Sequence, residues 1–403
     1  MIGAIIGDIV GSRFEFDNVK TKQFKFFHEK CRVTDDTILT LAAADAVMTT
    51  DSKHGQLRDE NRDRYLTTLF EAVVSSFRLF ASKYPDAGYG DMFKKWLSSD
   101  NPLPYGSFGN GAAMRISPVA HVAANREDLR HLVNCVTFVT HTHREAARGA
   151  MATAEAVFLA LRQPFKRKIK RAIEKKYYSL DFGIDDIRET YRRDFSCRGT
   201  VPQAIRCFLE SSSLEDAIRL AVSLGGDSDT LASVAGAIAG AFHGVPKDMR
   251  ETALGYLDDF LRSVFEKWDS LHPVPHERFR PLTRYMEKLK NTSEYYEPHP
   301  YHNGFVFVKV IEDLARQLRL FEDNNPSYDL ANFKEINRNS PLVYEGSGNN
   351  PDIMKLSAAQ VLAFMKGIFR VKPISDDLLL SFFKCGALDA CLERLKMIDL
   401  ENA

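Results

Sequence analysis

Two short acidic segments hold the residues best suited to chemistry: Thr34-Asp35-Asp36-Thr37, and Gly225-Gly226-Asp227-Ser228-Asp229-Thr230. Each stands where a helix would begin, ahead of a run of small and apolar residues. Threonine is a reasonable N-cap, and acids in a first turn are stabilised by free N–H groups and the helix dipole. Capping alone accounts for one such segment. Two of them stack carboxylates that repel one another, and a pair of hard divalent cations, Mg²⁺ or Mn²⁺, would offset that repulsion through carboxylate and hydroxyl oxygens. Adjacent helical residues point in different directions, so Asp35 and Asp36 can reach two ions from one backbone position. Asp227 and Asp229 repeat the arrangement across a turn that Gly225 and Gly226 allow to bend tightly. Glu15, after the small-residue helix that opens the chain, is a fifth carboxylate. Five carboxylates come close to balancing two divalent ions, with the Thr34 and Thr230 hydroxyls as neutral ligands.

A glycine-rich loop, Tyr105-Gly106-Ser107-Phe108-Gly109-Asn110-Gly111, precedes small residues and Met114-Arg115. Such a loop can present successive N–H groups to a phosphate, although most glycine loops are simply turns. In Val139-Thr140-His141-Thr142-His143, alternation would bring both imidazoles together only on a strand. The context is helical, so a hydrogen-bonding histidine at a helix junction is the better reading.

Helical spacing dominates the elements that must position these groups. It predicts helices over Thr37–Thr49, Leu66–Phe80, Asp91–Leu97, Arg126–Val139, Arg144–Leu161, Ser213–Leu224, Asp229–Phe242 and Lys247–Trp268. Loops are expected at Tyr84–Gly90, Asp100–Gly111 and around Cys197–Pro202. Beyond Trp268 the texture changes, with prolines, aromatics and charges through 270–304. Helical patterns return at Val308–Phe321, Ser357–Phe369 and Asp376–Met397, between exposed loops at Glu322–Asn332 and Asn337–Asp352. Phe305–Val310 is the best strand candidate and could equally open a helix. The expected fold is all-α: a compact multi-helix domain over 1–270 with a helical extension over 285–403.

Lys+Arg and Asp+Glu each total 54 in the 403 residues, so no global charge points to nucleic acid or an anionic membrane as partner. The run Lys166–Arg171 with Lys175 and Lys176 is the one dense basic patch, best read as a solvated helix face. Six cysteines without a C-x-x-C pair fit a reduced, cytoplasmic protein better than a disulfide framework or a zinc site. The apolar run Leu231–Phe242 is too short for a bilayer and suits a buried helix.

Taken in order, G-A-I-I-G-D-I-V-G-S-R-F-E, T-D-D-T, G-N-G-A-A-M-R, V-T-H and G-G-D-S-D-T resemble the motifs of ADP-ribosylglycohydrolases over about residues 1–265. The resemblance implies an all-α bundle with two Mg²⁺ or Mn²⁺ ions at the floor of a cleft. By resemblance, Thr34, Asp35, Asp36, Asp227, Asp229 and Thr230 are the metal ligands. Glu15 resembles the mobile family glutamate that coordinates a metal or gates the substrate. The loop Gly106, Ser107, Phe108, Gly109, Asn110 and Gly111 is similar to the segment that cradles the ADP diphosphate, with Phe108 placed to stack on adenine. His141 resembles the histidine that approaches ADP-ribose. Asp35 or Asp36 is then the expected base, and an ADP-ribosylated protein, through arginine, the expected substrate. The alternatives are a small ADP-ribose conjugate or another nucleotide as substrate, and a non-catalytic, crystallin-like member. A decayed member should have lost a ligand position, and here the set is complete.

Overall fold

The structure is a computed structural model that describes residues 1–162, 166–272, 279–292, 296–298, 305–324, 328, 330–338, 353–370 and 385–401. They fall into two units, Met1–Pro275 and His276–Ala403.

The first unit is built around one helix. α13 (Ser228–His243) is buried over its whole length, as expected of a helix apolar on every side. α1 (Ile2–Ser12), equally buried, lies against it. The approach is close enough to need glycine: a Cβ at Gly7 would stand 2.0 Å from the Ala232 carbonyl oxygen, and one at Gly11 2.6 Å from the Asp229 Cα. α2 (Asp35–His54) packs on α1 and on α3 (Arg62–Lys83). α4 (Asp91–Leu97), α5 (Gly111–Met114), α6 (Ser117–Val122) and α7 (Arg126–Phe138) lead to α8 (Arg144–Arg162), which packs on α5, α6, α7 and α13. α9 (Lys166–Lys176), α10 (Ile184–Ile187), α11 (Cys197–Glu210) and α12 (Leu214–Leu224) follow, and α11 and α12 cover further sides of α13. α14 (Lys247–Leu254) and α15 (Asp259–Leu271) complete the unit.

Two expectations are corrected here. The stretch around Cys197–Pro202 is the first part of α11 and not a loop. Ser196 caps it by accepting from the Gly199 N–H at 3.0 Å, and the helix tolerates Pro202 at the cost of one backbone bond. Lys247–Trp268 is two helices and not one. The first ends at Gly255, and Asp258 caps the second by accepting from the Leu261 N–H at 2.9 Å. On α9, Ile169 and Ile173 turn inward and most of the basic side chains face outward, as expected of a solvated face.

The second unit holds helices over Lys309–Asn324, Phe333–Arg338, Ala358–Arg370 and Ala387–Glu401, with short turns at Arg280–Thr283 and Met286–Lys290. The strand candidate is settled: Phe305–Phe307 pairs antiparallel with Tyr296–Pro298, and a helix begins at Lys309. Of the expected helix over 376–397 the first part lies outside the described residues, as do residues 339–352 of an expected loop. The described chain is predominantly helical, and none of its helices is long and apolar enough to cross a membrane. No cysteine among the described residues is in a disulfide.

Candidate metal and active site

α1 carries the fully buried Asp8, and Asp8 organises the first acidic segment. One carboxylate oxygen accepts from the Thr34 N–H (3.0 Å) and the Thr37 N–H (3.1 Å), and the other from the Thr34 hydroxyl (2.6 Å). Asp8 therefore satisfies free amides at the start of α2. With Asp8 in place, the Asp35 and Asp36 carboxylates are not spent on capping. Thr34 remains the N-cap, accepting from the Asp36 N–H at 3.3 Å. The Asp35 N–H is taken by the Ala87 carbonyl at 3.0 Å. Sequence reasoning had not assigned Asp8 a role, although its charge in an otherwise apolar helix was a signal.

The second acidic segment reaches the same place from the other end of the chain. Gly225 (φ +68°) and Gly226 (φ +74°) adopt left-handed conformations that place Asp227 and Asp229 at the start of α13. There the Thr230 hydroxyl donates to Asp36 Oδ2 at 3.1 Å. Oxygens of Glu15, Asp227 and Asp229 lie within 4.8 Å of one another. The Asn18 amide ties the turn bearing Glu15 to the glycine turn: it donates to Phe14 O (2.6 Å) and Gly226 O (3.1 Å) and accepts from the Gly226 N–H (2.7 Å).

These carboxylates stand in a setting that disfavours their charge. Burial, and after it Asp8 and Asp227, push Asp35 up to about 8, although it keeps some exposed surface. Burial and Asp229 raise Asp36 well above the usual range. Burial with Asp227 and Glu15 does the same to Asp229. Glu15 is raised by burial and by Asp227, and lowered by Arg193. Asp227 is raised by burial and lowered by the Asn110 amide, which donates to it at 2.5 Å. Asp36 Oδ1 is buried with no hydrogen-bond partner. An orphaned carboxylate oxygen among converging acids and hydroxyls is a donor set that hard divalent cations fit, and the residues present are compatible with such ions.

The glycine loop borders the same region. Its N–H groups do not form the unbroken row expected of a phosphate cradle. That of Ser107 goes to Tyr105 O (2.9 Å), that of Gly109 to Ser107 Oγ (3.1 Å) and that of Asn110 to Phe195 O (2.8 Å). The helix after it, α5, is a single turn. Asn110 also donates to Thr200 Oγ1 at 2.9 Å, so its side chain orients Asp227. Phe108 is 56% exposed, which places its ring outside the core. Nε2 of His141 lies beside Gly109 and Gly111, and its Nδ1 is 2.7 Å from Thr140 Oγ1. Burial, and after it Arg115, hold this imidazole neutral, well below its usual pKa. His143 is exposed, edge-on to Phe108, so the two histidines do not form a pair. Arg115, which sequence reasoning left without a role, is fully buried. It donates to Thr140 Oγ1 and lies over the Phe77 ring.

Comparison with known proteins places relatives beside this chain. The family model described as ADP-ribosylglycohydrolase matches residues 1–276. The human protein "ADP-ribosylhydrolase ARH3" is 27% identical over 338 residues, covering 66% of this chain and 93% of the relative. The Xenopus tropicalis protein of the same name is 25% identical, covering 70% and 96%. A solved structure, "ADP-ribosylglycohydrolase-related protein complex", aligns at 21% identity and a TM-score of 0.46, covering 69% of this chain and 96% of that one. With a family match over essentially all of its first unit, this chain belongs to the ADP-ribosylglycohydrolase family and is a glycohydrolase enzyme.

Proposed function

We propose that the enzyme removes ADP-ribose from a modified protein side chain, arginine being the linked residue to test first, and that it works with two Mg²⁺ or Mn²⁺ ions. The observation that carries this reading is the 3.1 Å hydrogen bond from Thr230 to Asp36, whose other oxygen has no partner. It joins two acidic segments from opposite ends of the family domain in one buried cluster. Thr34, Asp35, Asp36, Asp227, Asp229 and Thr230 would hold the ions, with Glu15 beside them. Bound there, divalent cations supply Lewis-acid stabilisation and orient water and sugar hydroxyls.

The remaining work falls to the chain. Asp35 is the candidate base, because it keeps exposed surface whereas Asp36 is buried and engaged by Thr230. It takes a proton from the attacking water as that oxygen bonds to the anomeric carbon. The bond to the modified side chain breaks, and its electron pair leaves with that side chain. The setting differs from that of a sugar hydrolase working with two metal-free carboxylates, for which this many acids and hydroxyls would be excess. Phe108, exposed at the glycine loop, offers a face for adenine. His141, neutral, offers Nε2 to the ADP-ribosyl group between Gly109 and Gly111.

The decisive experiment incubates the protein with arginine-linked and serine-linked ADP-ribosyl peptides, each with Mg²⁺, Mn²⁺ or chelator. Release of ADP-ribose from the arginine peptide, lost in chelator, is the expected result. Release from the serine peptide alone would change the linked residue and keep the chemistry. No release from either, with cation present, would leave a small conjugate as the substrate to examine.

A further inference from the structure

One side chain in contact with the acidic cluster carries the opposite charge and has no place in the mechanism above. Arg193 precedes α11, in the segment that pairs with the glycine loop. Its Nη2 lies 3.6 Å from Glu15 Oε1, and the same nitrogen donates to the Glu15 carbonyl. The guanidinium lies 4.7 Å from the centre of the Phe16 ring and 5.4 Å from that of Phe195, both exposed. Two rings and a backbone carbonyl therefore hold the charge in a fixed place. The Arg193 Cα also packs against Gly226, the residue before Asp227. Arg193 favours the ionised forms of both Glu15 and Asp227.

We infer that Arg193 is a positioning residue of this site: a side-chain cation that holds the Glu15 carboxylate beside Asp227 and Asp229 and competes with a divalent cation for it. Glu15 is half in reach of each partner, because its oxygen lies among those of Asp227 and Asp229 and also faces the guanidinium. Without a divalent ion, Arg193 offsets part of the repulsion among the acids. A bound divalent ion would draw the Glu15 carboxylate away from the guanidinium, which its two rings would keep in place. The site thus carries a built-in opponent that lowers its affinity for cations. The inference rests on the cation-binding reading proposed above.

The test is calorimetric titration of the full-length, chelator-stripped protein with Mn²⁺, together with thermal melts in chelator. Arg193→Gln should bind Mn²⁺ about fivefold more tightly than wild type, on the order of what one nearby charge does in a partly solvated site. It should also melt at a lower temperature in chelator. Arg193→Met, which keeps packing on Phe16 and Phe195, should behave alike and serves if the Gln variant folds poorly. Arg193→Lys should return affinity to near wild type. In a Glu15→Gln background, the gain from removing Arg193 should shrink by at least half. Unchanged or weaker Mn²⁺ binding in both neutral variants would overturn the inference. So would an equal gain with and without Glu15, since that is diffuse repulsion and not competition for one carboxylate. Wild-type protein that binds no Mn²⁺ would instead sink the cation-binding reading itself.

Discussion

At the scale of single residues, the site rests on carboxylates that burial and mutual repulsion hold against ionisation. Asp36→Asn and Asp229→Asn each replace one of these carboxyl groups with an amide at almost constant volume. Turnover should fall below detection in both, the melting temperature in chelator should rise, and the shift on adding Mn²⁺ should shrink. Wild-type turnover at limiting cation would contradict the ligand role. Phe108→Ala should weaken ADP-ribose binding by about 1–3 kcal/mol if its exposed ring stacks on adenine, which calorimetry reads directly. His141 gives a pH dependence of known sign. Its folded pKa lies below the unfolded value, so below about 6.5 the unfolded chain binds the extra proton and the folded state does not. That contribution is full above the unfolded pKa and is lost as pH falls from there through the folded pKa. In parallel melts, wild type should therefore lose more stability than His141→Asn between pH 8 and pH 5. Most of these residues were readable in sequence, because Asp-Asp and Asp-Ser-Asp beside threonine point to one chemistry. Asp8 and Arg115 were not, since a single charge among apolar residues does not say what it faces.

At the scale of elements, the site exists because α1 and α13 touch backbone to backbone. Gly3, Gly7 and Gly11 recur every fourth residue and so lie on one face of α1, where each meets the backbone of α13. A methyl group at Gly7 has no room short of moving a helix. Gly7→Ala should cost about 3 kcal/mol or more, the upper part of the range for overpacking. Because α1 carries Asp8, and through it the start of α2, Mn²⁺ affinity should fall with stability. A variant that melts lower and binds Mn²⁺ as wild type would show that the helix contact and the site are independent. Boundaries were legible where caps were strong: Asn125 before α7 and Ser213 before α12 both accept from first-turn amides. They failed where breakers misled. Pro202 sits inside α11, and the break between α14 and α15 depends on Gly255 and Asp258 within a pattern that otherwise continues.

At the scale of the whole molecule, every residue assigned to the site lies in Met1–Pro275, the span of the family match. A protein ending at residue 275 should keep Mn²⁺ affinity and hydrolysis of a small ADP-ribosyl-arginine substrate within about threefold of full length, a difference of under 1 kcal/mol. Truncated protein that binds Mn²⁺ but does not turn over would place part of the active site in the second unit. The sequence by itself determined the helical class, the change of texture beyond Trp268 and the identity of the acids, because helical periodicity, proline content and residue type are local properties. Tertiary structure decided which of those acids meet. Thr230 reaches Asp36, Asp8 caps α2 from α1, and Arg193 faces Glu15, all through contacts between segments distant in the chain. Local spacing cannot encode such contacts, because they depend on how closely α1 and α13 approach and on which way the Gly225-Gly226 turn points.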